Sequence, residues 1–97
     1  MHRYVIERTL PGAGKLTAAQ LHDISTKSCD VLRTMGKDIQ WDHSYVTDDK
    51  IYCVYLATDP DIVRRHASAG GFPVDSISEG RSVIDPTRVY YVGGSLG

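Results

Sequence analysis

Apolar and polar positions along the chain follow two periods, one typical of strands and one typical of helices. Short runs rich in β-branched and aromatic residues predict strands at residues 2–8, 39–47, 50–58 and 77–84. Only Asp48 and Asp49 separate the second run from the third, which predicts a tight hairpin. A further run at residues 88–92 follows Pro86 and predicts a fifth strand at a sheet edge, before a flexible end at residues 93–97.

Two segments between these strands carry helical signals. Apolar residues recur at spacings of three, four and seven between residues 21 and 35, as on a helix with one buried face. Thr17 and Gln20 predict a capping box at the start of this helix, and Gly36 predicts its end. Asp59 as a cap and Pro60 at the first helical position predict a second helix that runs to about residue 69.

The order strand, helix, strand, strand, helix, strand predicts an α+β fold, a ferredoxin-like βαββαβ sandwich. Right-handed connections give an antiparallel sheet in the order 4-1-3-2 with two helices on one face. Residues 1–86 form the predicted domain and residues 87–97 a C-terminal extension, with an edge strand and then the flexible end. The other sheet face is left bare, and in a chain this short a partner subunit or a ligand is expected to cover it.

The amino-acid composition limits the classes of molecule that this protein is expected to bind. The 97 residues carry 11 basic and 12 acidic side chains, for a net charge of -1, so no basic field is present to attract nucleic acid. No apolar run approaches the roughly 18 residues that cross a bilayer, so no membrane association is expected. The two cysteines are too few for a disulfide framework and no signal peptide is evident, which predicts a cytoplasmic protein with reduced thiols.

Motifs for nucleotide, zinc or nucleophilic chemistry are incomplete. The segment from Gly12 to Thr17 resembles a phosphate-binding loop, but Thr9 and Leu16 stand where that motif needs Gly and Ser or Thr. No two histidines have metal-ligand spacing and no Cys-x-x-Cys occurs. A catalytic triad assembled only in space stays open, although nothing marks its nucleophile.

The hairpin around Asp48 and Asp49 concentrates the chemistry, and its register decides which side chains meet. With a two-residue turn, His43 faces Val54 and Cys53 lies on the opposite side of the sheet; with a three-residue loop, His43 faces Tyr55. A three-residue loop usually needs glycine where Lys50 stands, so we expect the first register. That register predicts one face with Trp41, His43, Tyr45, Tyr52, Val54 and Leu56, and another with Asp42, Ser44, Cys53 and Tyr55.

Four side chains remain as candidate site residues, each with a structural alternative. His43 is either a hydrogen-bonded histidine in an aromatic cluster or a group for metal binding or proton transfer. His66 lies at the core margin of the second helix, where a hydrogen-bonded core histidine is the alternative. Glu7 on strand 1 is expected to approach Glu79 or Arg81 on strand 4 across the ladder. The alternatives are a charge pair in the cavity of the open face and a solvated pair.

Longer motifs resemble a known family. They are Glu7-Arg8-Thr9, the segment from Trp41 to Lys50, Tyr52-Cys53-Val54-Tyr55, Gly71-Phe72-Pro73 and Ile84-Asp85-Pro86. Together they resemble a family of small bacterial ferredoxin-like proteins of formerly unknown function that includes a dimeric nickel-binding protein. The likeness runs from about residue 3 to 88, and it implies a homodimer or higher homo-oligomer and, for at least one member, a nickel ion held for sequestration.

Three hypotheses about function follow. The first is a cytoplasmic dimer that binds nickel through His43 or His66, aided by Glu7 or Glu79, since imidazole and carboxylate are suitable nickel donors. The second is an enzyme of monooxygenase or isomerase type, with a small-molecule cavity between facing sheets of a dimeric α+β barrel. The third is an interaction module that docks on another protein through its edge or tail strand.

Overall fold

The computed structural model describes residues 1–91 as a four-stranded antiparallel sheet, two α-helices and a separate two-stranded hairpin. The elements are β1 (His2–Thr9), α1 (Ala18–Met35), β2 (Ile39–Val46), β3 (Lys50–Ala57), α2 (Pro60–Gly70), β4 (Ser76–Gly80), β5 (Ser82–Asp85) and β6 (Arg88–Tyr91). The predicted flexible end at residues 93–97 lies outside the described residues, as does the last position of the predicted 88–92 strand.

The main sheet has the strand order β2-β3-β1-β4, with every neighbouring pair antiparallel. This is the predicted order 4-1-3-2 viewed from the other edge. The mixed helix and strand composition, the two helices and the strand order of the four-stranded antiparallel sheet are confirmed, and together they are compatible with the predicted ferredoxin-like fold.

Local hydrogen bonds explain where the helices begin. The backbone N–H of Gln20 donates to Thr17 Oγ1 at 3.1 Å, and the N–H of Thr17 donates to Gln20 Oε1 at 2.9 Å. These two bonds form the predicted capping box of α1. At α2 the N–H of Ile62 donates to Asp59 Oδ1 at 3.0 Å, with Pro60 in the first turn as predicted.

The two faces of the sheet differ sharply in burial. Along β3, Ile51, Cys53, Tyr55 and Ala57 are buried, whereas the alternating side chains of Tyr52, Val54 and Leu56 are only half-buried. The buried set packs with residues of the helices in one core, and we call this side the covered face. The other side, the open face, carries Val5, Tyr45, Tyr52, Val54 and Leu56, and within residues 1–91 no helix lies over it. Within the described part of the chain, neither helix combines the length and the apolar character that crossing a bilayer requires.

The predicted strand at residues 77–84 is wrong as a single element. It is divided at Arg81 into β4, which pairs with β1, and β5, which pairs with β6 in its own two-stranded sheet. Asp85 Oδ1 accepts the backbone N–H of Thr87 at 2.8 Å and of Arg88 at 3.1 Å, which closes a tight turn after β5. The chain therefore folds back on β5, so the predicted fifth strand pairs there and the hairpin crosses the expected boundary at residue 86.

Candidate functional site

The hairpin between β2 and β3 has the expected two-residue turn. The N–H of Thr47 donates to the carbonyl oxygen of Lys50 at 2.8 Å, leaving Asp48 and Asp49 between them. His43 lies opposite Val54 on the open face, so the predicted register is confirmed. Cys53 is buried on the covered face, away from His43, as that register requires.

A β-bulge in β2 changes two of the predicted side-chain positions. The register shifts between Trp41 and His43, so that Asp42 is an extra residue in this strand. Trp41 therefore lies opposite Tyr55 on the covered face, and its Nε1 donates to Ser44 Oγ at 3.0 Å. The predicted faces of Trp41 and Asp42 were wrong, because a bulge shifts the alternation of every residue on one side of it.

The bulge brings His43 and Asp42 together. His43 Nδ1 lies 3.1 Å from Asp42 Oδ2, and each side chain is 43% exposed. The His43 ring meets the Tyr45 ring edge to face, with 5.1 Å between the ring centroids. Arg3 Nη1 lies 3.8 Å from the same Asp42 oxygen. The result is an accessible histidine and carboxylate pair on the open face, with one cation beside it.

Glu7 also lies on the open face, but two strands away from His43. Its Oε1 accepts a charge-assisted hydrogen bond from Lys50 Nζ at 2.5 Å, and this bond raises the pKa of the Lys50 ammonium above its usual value. Two strand spacings separate β1 from β2, which is about 10 Å. Glu7 and His43 therefore share a surface without touching in one protomer.

Glu79 lies on the other side of the sheet from Glu7. Glu79 is opposite Tyr4, whereas Glu7 is opposite Ser76, so the expected approach of Glu7 to Glu79 or Arg81 does not occur. Tyr4, the residue opposite Glu79, is an odd number of positions from Glu7 along β1, and residues an odd number apart in a strand lie on opposite faces of the sheet. Glu79 Oε2 instead contacts Arg81 Nη1 at 3.1 Å and His2 Nδ1 at 3.3 Å.

His66 is enclosed in the core and has no exposed surface. Its Nε2 lies 3.1 Å from Ser28 Oγ, and its ring packs between those of Tyr55 and Phe72 at centroid distances of 5.2 and 5.5 Å. Burial lowers the pKa of His66 below the usual histidine value, and the nearby Arg8 charge acts in the same direction. The ring is thus a neutral packing group between α1, α2 and β3.

The four candidate ligands are thus spread over three places: the open face, the covered side of β4 and the core between the helices. Among residues 1–91, no three side chains of His, Cys, Asp or Glu come close enough to hold one metal ion between them. The donor set that does occur, His43 with Asp42, has suitable atoms for nickel but supplies only part of a coordination shell.

A second feature is a cavity of about 500 Å³ between α1 and the covered face. We call it the α1 cavity; its wall includes Arg8, Lys27, Trp41, Tyr55 and Phe72. Burial raises the pKa of the Tyr55 phenol, while its contacts with Ser28 and Arg8 act in the opposite direction. The cavity belongs to a single chain, unlike the cavity between facing sheets that the enzyme hypothesis requires.

Comparison with known proteins identifies the family. The family model described as "Nickel responsive protein SCO4226-like" matches residues 4–79, most of the chain. The chain belongs to this family. The resemblance expected from the hairpin and loop motifs is therefore confirmed.

A solved structure has the same fold as this family member. It is described as the crystal structure analysis of SCO4226 from Streptomyces coelicolor A3(2), and it matches with a TM-score of 0.68 and 18% sequence identity. The match covers 80% of this chain and 94% of that one. No curated protein matches the chain.

In this SCO4226-like chain, the residues that sequence reasoning missed are Asp42 and Arg8. Asp42 was assigned to the wrong face, and its only sequence signal is that aspartate is uncommon inside a strand. Arg8 has a position on β1 that alternation assigns to the buried face together with Tyr4 and Ile6. The sequence signal for the α1 cavity was therefore a charged residue, Arg8, at a buried position of a strand.

Proposed function

We propose that this protein binds nickel as a homodimer and serves to sequester or respond to the metal in the cytoplasm. Membership of a family named for its response to nickel supports the choice of metal. The observation that carries the proposal is the exposed pair of His43 and Asp42 on a sheet face that no helix covers in the described part of the chain. Cys29 and Cys53 are both free, which fits a reducing compartment.

The geometry of the pair assigns a role to each member. Because His43 Nδ1 faces Asp42 Oδ2, the opposite ring nitrogen, Nε2, is the one free to bind a metal ion. Asp42 then accepts a hydrogen bond from the Nδ1–H group and holds the ring in one tautomer and orientation, as carboxylates do for metal-bound histidines in general. A neutral imidazole is a good donor to nickel, so His43 is the proposed ligand and Asp42 its support.

One histidine does not complete a nickel site, so the proposal requires a second copy of the chain. Glu7 lies on the same open face as His43, about two strand spacings away, and is the carboxylate that a partner can bring to it. His66 and Glu79 take no part in the proposed site. The first is enclosed in the core, and the second lies on the opposite side of the sheet beside Arg81.

The open face also has the composition of a surface that another copy covers. Tyr45 is 63% exposed and Val5 is 39% exposed, next to the half-buried apolar side chains of β3. The β5–β6 hairpin adds Ile84, Val89 and Tyr91, each at least 67% exposed. Exposed apolar side chains in this number on a small protein are typical of an interface.

Calorimetric titration of nickel into the protein tests the metal site. We expect His43→Gln to weaken binding by about tenfold or more, the loss of one good donor interaction. Asp42→Asn is expected to weaken it less, because the donor atom stays while its support changes. Binding is also expected to weaken as the solution becomes acidic, since protons compete for the imidazole nitrogen.

His22→Gln is the matched control. His22 is an exposed histidine on α1, on the other side of the sheet from His43. Its replacement measures how much any exposed histidine contributes to nickel affinity. Unchanged nickel affinity in His43→Gln, or an equal loss in His22→Gln, would contradict the proposed site.

A further inference from the structure

We propose that the α1 cavity is a second binding site, one that takes a small monocarboxylate with an apolar body. The cavity is formed by α1, the covered face of the sheet and the loop that follows α2. Its volume of about 500 Å³ lies within the range usual for small-molecule sites. It lies on the opposite side of the sheet from His43, so it is distinct from the proposed nickel site.

The charge of the wall selects the ligand. Arg8 and Lys27 are both part of the wall, and no Asp or Glu side chain contributes to it. Within residues 1–91, neither of these cations forms a salt bridge, whereas Arg3, Lys50 and Arg81 each have a carboxylate partner. A wall with two cations and no carboxylate is complementary to one anionic group.

Arg8 is the stronger argument of the two, because it is only 5% exposed. Its Nη1 donates to the carbonyl oxygen of Pro73 at 2.7 Å, and its guanidinium lies 5.6 Å from the centroid of the Phe72 ring. Its Nη2 is buried without a hydrogen-bond partner among the described residues. A buried guanidinium nitrogen without a partner is costly, and a carboxylate offers the bidentate geometry that satisfies it.

Two hydroxyl groups extend the polar part of the wall. Tyr55 and Ser28 both line the cavity, and the phenol of Tyr55 interacts with Ser28 and with Arg8. Both can donate a hydrogen bond to a carboxylate oxygen. The polar groups that recognise an anion are thus brought together from β1, β3 and α1.

The rest of the wall fits an apolar body. It comes mainly from side chains of α1 and the hairpin strands, namely Leu21, Ile24, Trp41, Val46 and Ile51. Leu21 and Ile24 stay partly exposed although they belong to the apolar face of α1, because the cavity separates them from the sheet. An aliphatic or aromatic body of moderate size would complete the burial of this face and gain hydrophobic free energy.

Decanoate is the probe for this site, and Trp41 is the reporter. Trp41 lines the cavity and is the only tryptophan of the chain, so its fluorescence reports occupation of the site directly. We expect decanoate to change this fluorescence in a saturable way, with a dissociation constant in the micromolar range. Decanol, which lacks the carboxylate, should bind about tenfold more weakly or worse, because one charge-assisted contact is lost. Decylamine, which carries a positive charge, should bind more weakly still.

Variants of the two cations assign the binding to the cavity. Arg8→Gln is expected to weaken decanoate binding about tenfold or more, and Lys27→Gln by a smaller factor because its ammonium is exposed. Arg65→Gln, at an exposed arginine on α2 that is not part of the wall, should leave the affinity unchanged. If Arg8→Gln fails to fold, the decanoate affinity of Lys27→Gln tests whether a cation of the wall binds the carboxylate.

Two results would overturn the proposal: equal affinity for decanoate and decanol, or no response of Trp41 fluorescence and no heat on calorimetric titration of decanoate. Unchanged decanoate affinity in both cation variants would also overturn it. The titration contains no metal, so its outcome is independent of the nickel proposal.

Discussion

Burial makes His66 a residue whose protonation opposes folding. Its ring has no exposed surface, lies between Tyr55 and Phe72, and contacts the hydroxyl of Ser28. Charging such a ring without solvent is unfavourable, and this lowers the pKa of His66 in the folded protein. The unfolded chain has the ordinary histidine pKa of about 6.5, so the unfolded state binds a proton more readily than the folded state.

The predicted consequence is a loss of stability in mild acid. The stabilising contribution of neutral His66 is fully present above about pH 6.5 and is lost as the pH falls from there toward the lowered folded pKa. Urea unfolding of the wild type should therefore show a falling free energy of unfolding between about pH 7 and pH 5. His66→Gln should reduce that slope and His22→Gln should preserve it, and equal slopes in wild type and His66→Gln would contradict the assignment.

At the scale of elements, each helix depends on the residues just before it. In the capping box, the side-chain oxygens of Thr17 and Gln20 each accept a hydrogen bond from the other residue's backbone N–H, which the first turn of α1 cannot pair internally. A cap matters more for α1 than for a well-packed helix, because Ser28 is the only fully buried residue of its 18 positions. The α1 cavity beneath it is the reason for that sparse packing.

Thr17→Ala should therefore destabilise the protein by about 1 kcal/mol, the usual loss of a helix cap. Thr26→Ala is the matched control, since Thr26 is an exposed threonine in the interior of the same helix, where alanine is the better helix former. Urea denaturation at neutral pH measures both changes. A Thr17→Ala variant as stable as the Thr26→Ala variant would show that the cap does not stabilise α1.

At the scale of the whole molecule, two apolar surfaces have no cover within the described residues, the open face and the β5–β6 hairpin. Within residues 1–91 the sheet has helices on one side only, so these residues leave the side chains of its other face without a covering layer, and a second copy of the chain is the cover that we propose. A second copy that covers the open face would bury Val5 and Tyr45 and bring His43 close to the partner. Assembly and the proposed nickel site are therefore expected to depend on each other.

Val5→Lys tests this assembly with a matched control at Val74. The two valines are similarly exposed, at 39% and 37%, but Val74 lies in the loop before β4 and not on the open face. We expect the wild type and Val74→Lys to be dimers by size-exclusion chromatography with light scattering. We expect Val5→Lys to be monomeric, since burying a lysine ammonium among the apolar side chains of this face costs free energy; a dimeric Val5→Lys or a monomeric wild type would contradict the proposed interface.

Sequence by itself determined the two helices and their caps, the hairpin register and the strand order of the main sheet. These features depend on local chemistry, such as the capping box at Thr17 and the two-residue turn at Asp48, or on the handedness of connections, which local patterns specify. The family was also recognisable from local motifs, and the match at residues 4–79 confirmed it.

Tertiary structure alone decided which functional groups meet. The bulge at Asp42 reversed the expected faces of two residues, and the offset of β4 against β1 separated Glu7 from Glu79. Residues 77–84 divided into two strands, of which β4 pairs with β1 and β5 pairs with β6. The first two outcomes depend on the register of strand pairing, in which a shift of one residue leaves the composition of a strand unchanged but moves its side chains to the other face. The third depends on which strand each half of the segment pairs with, and the composition of the segment does not specify that partner.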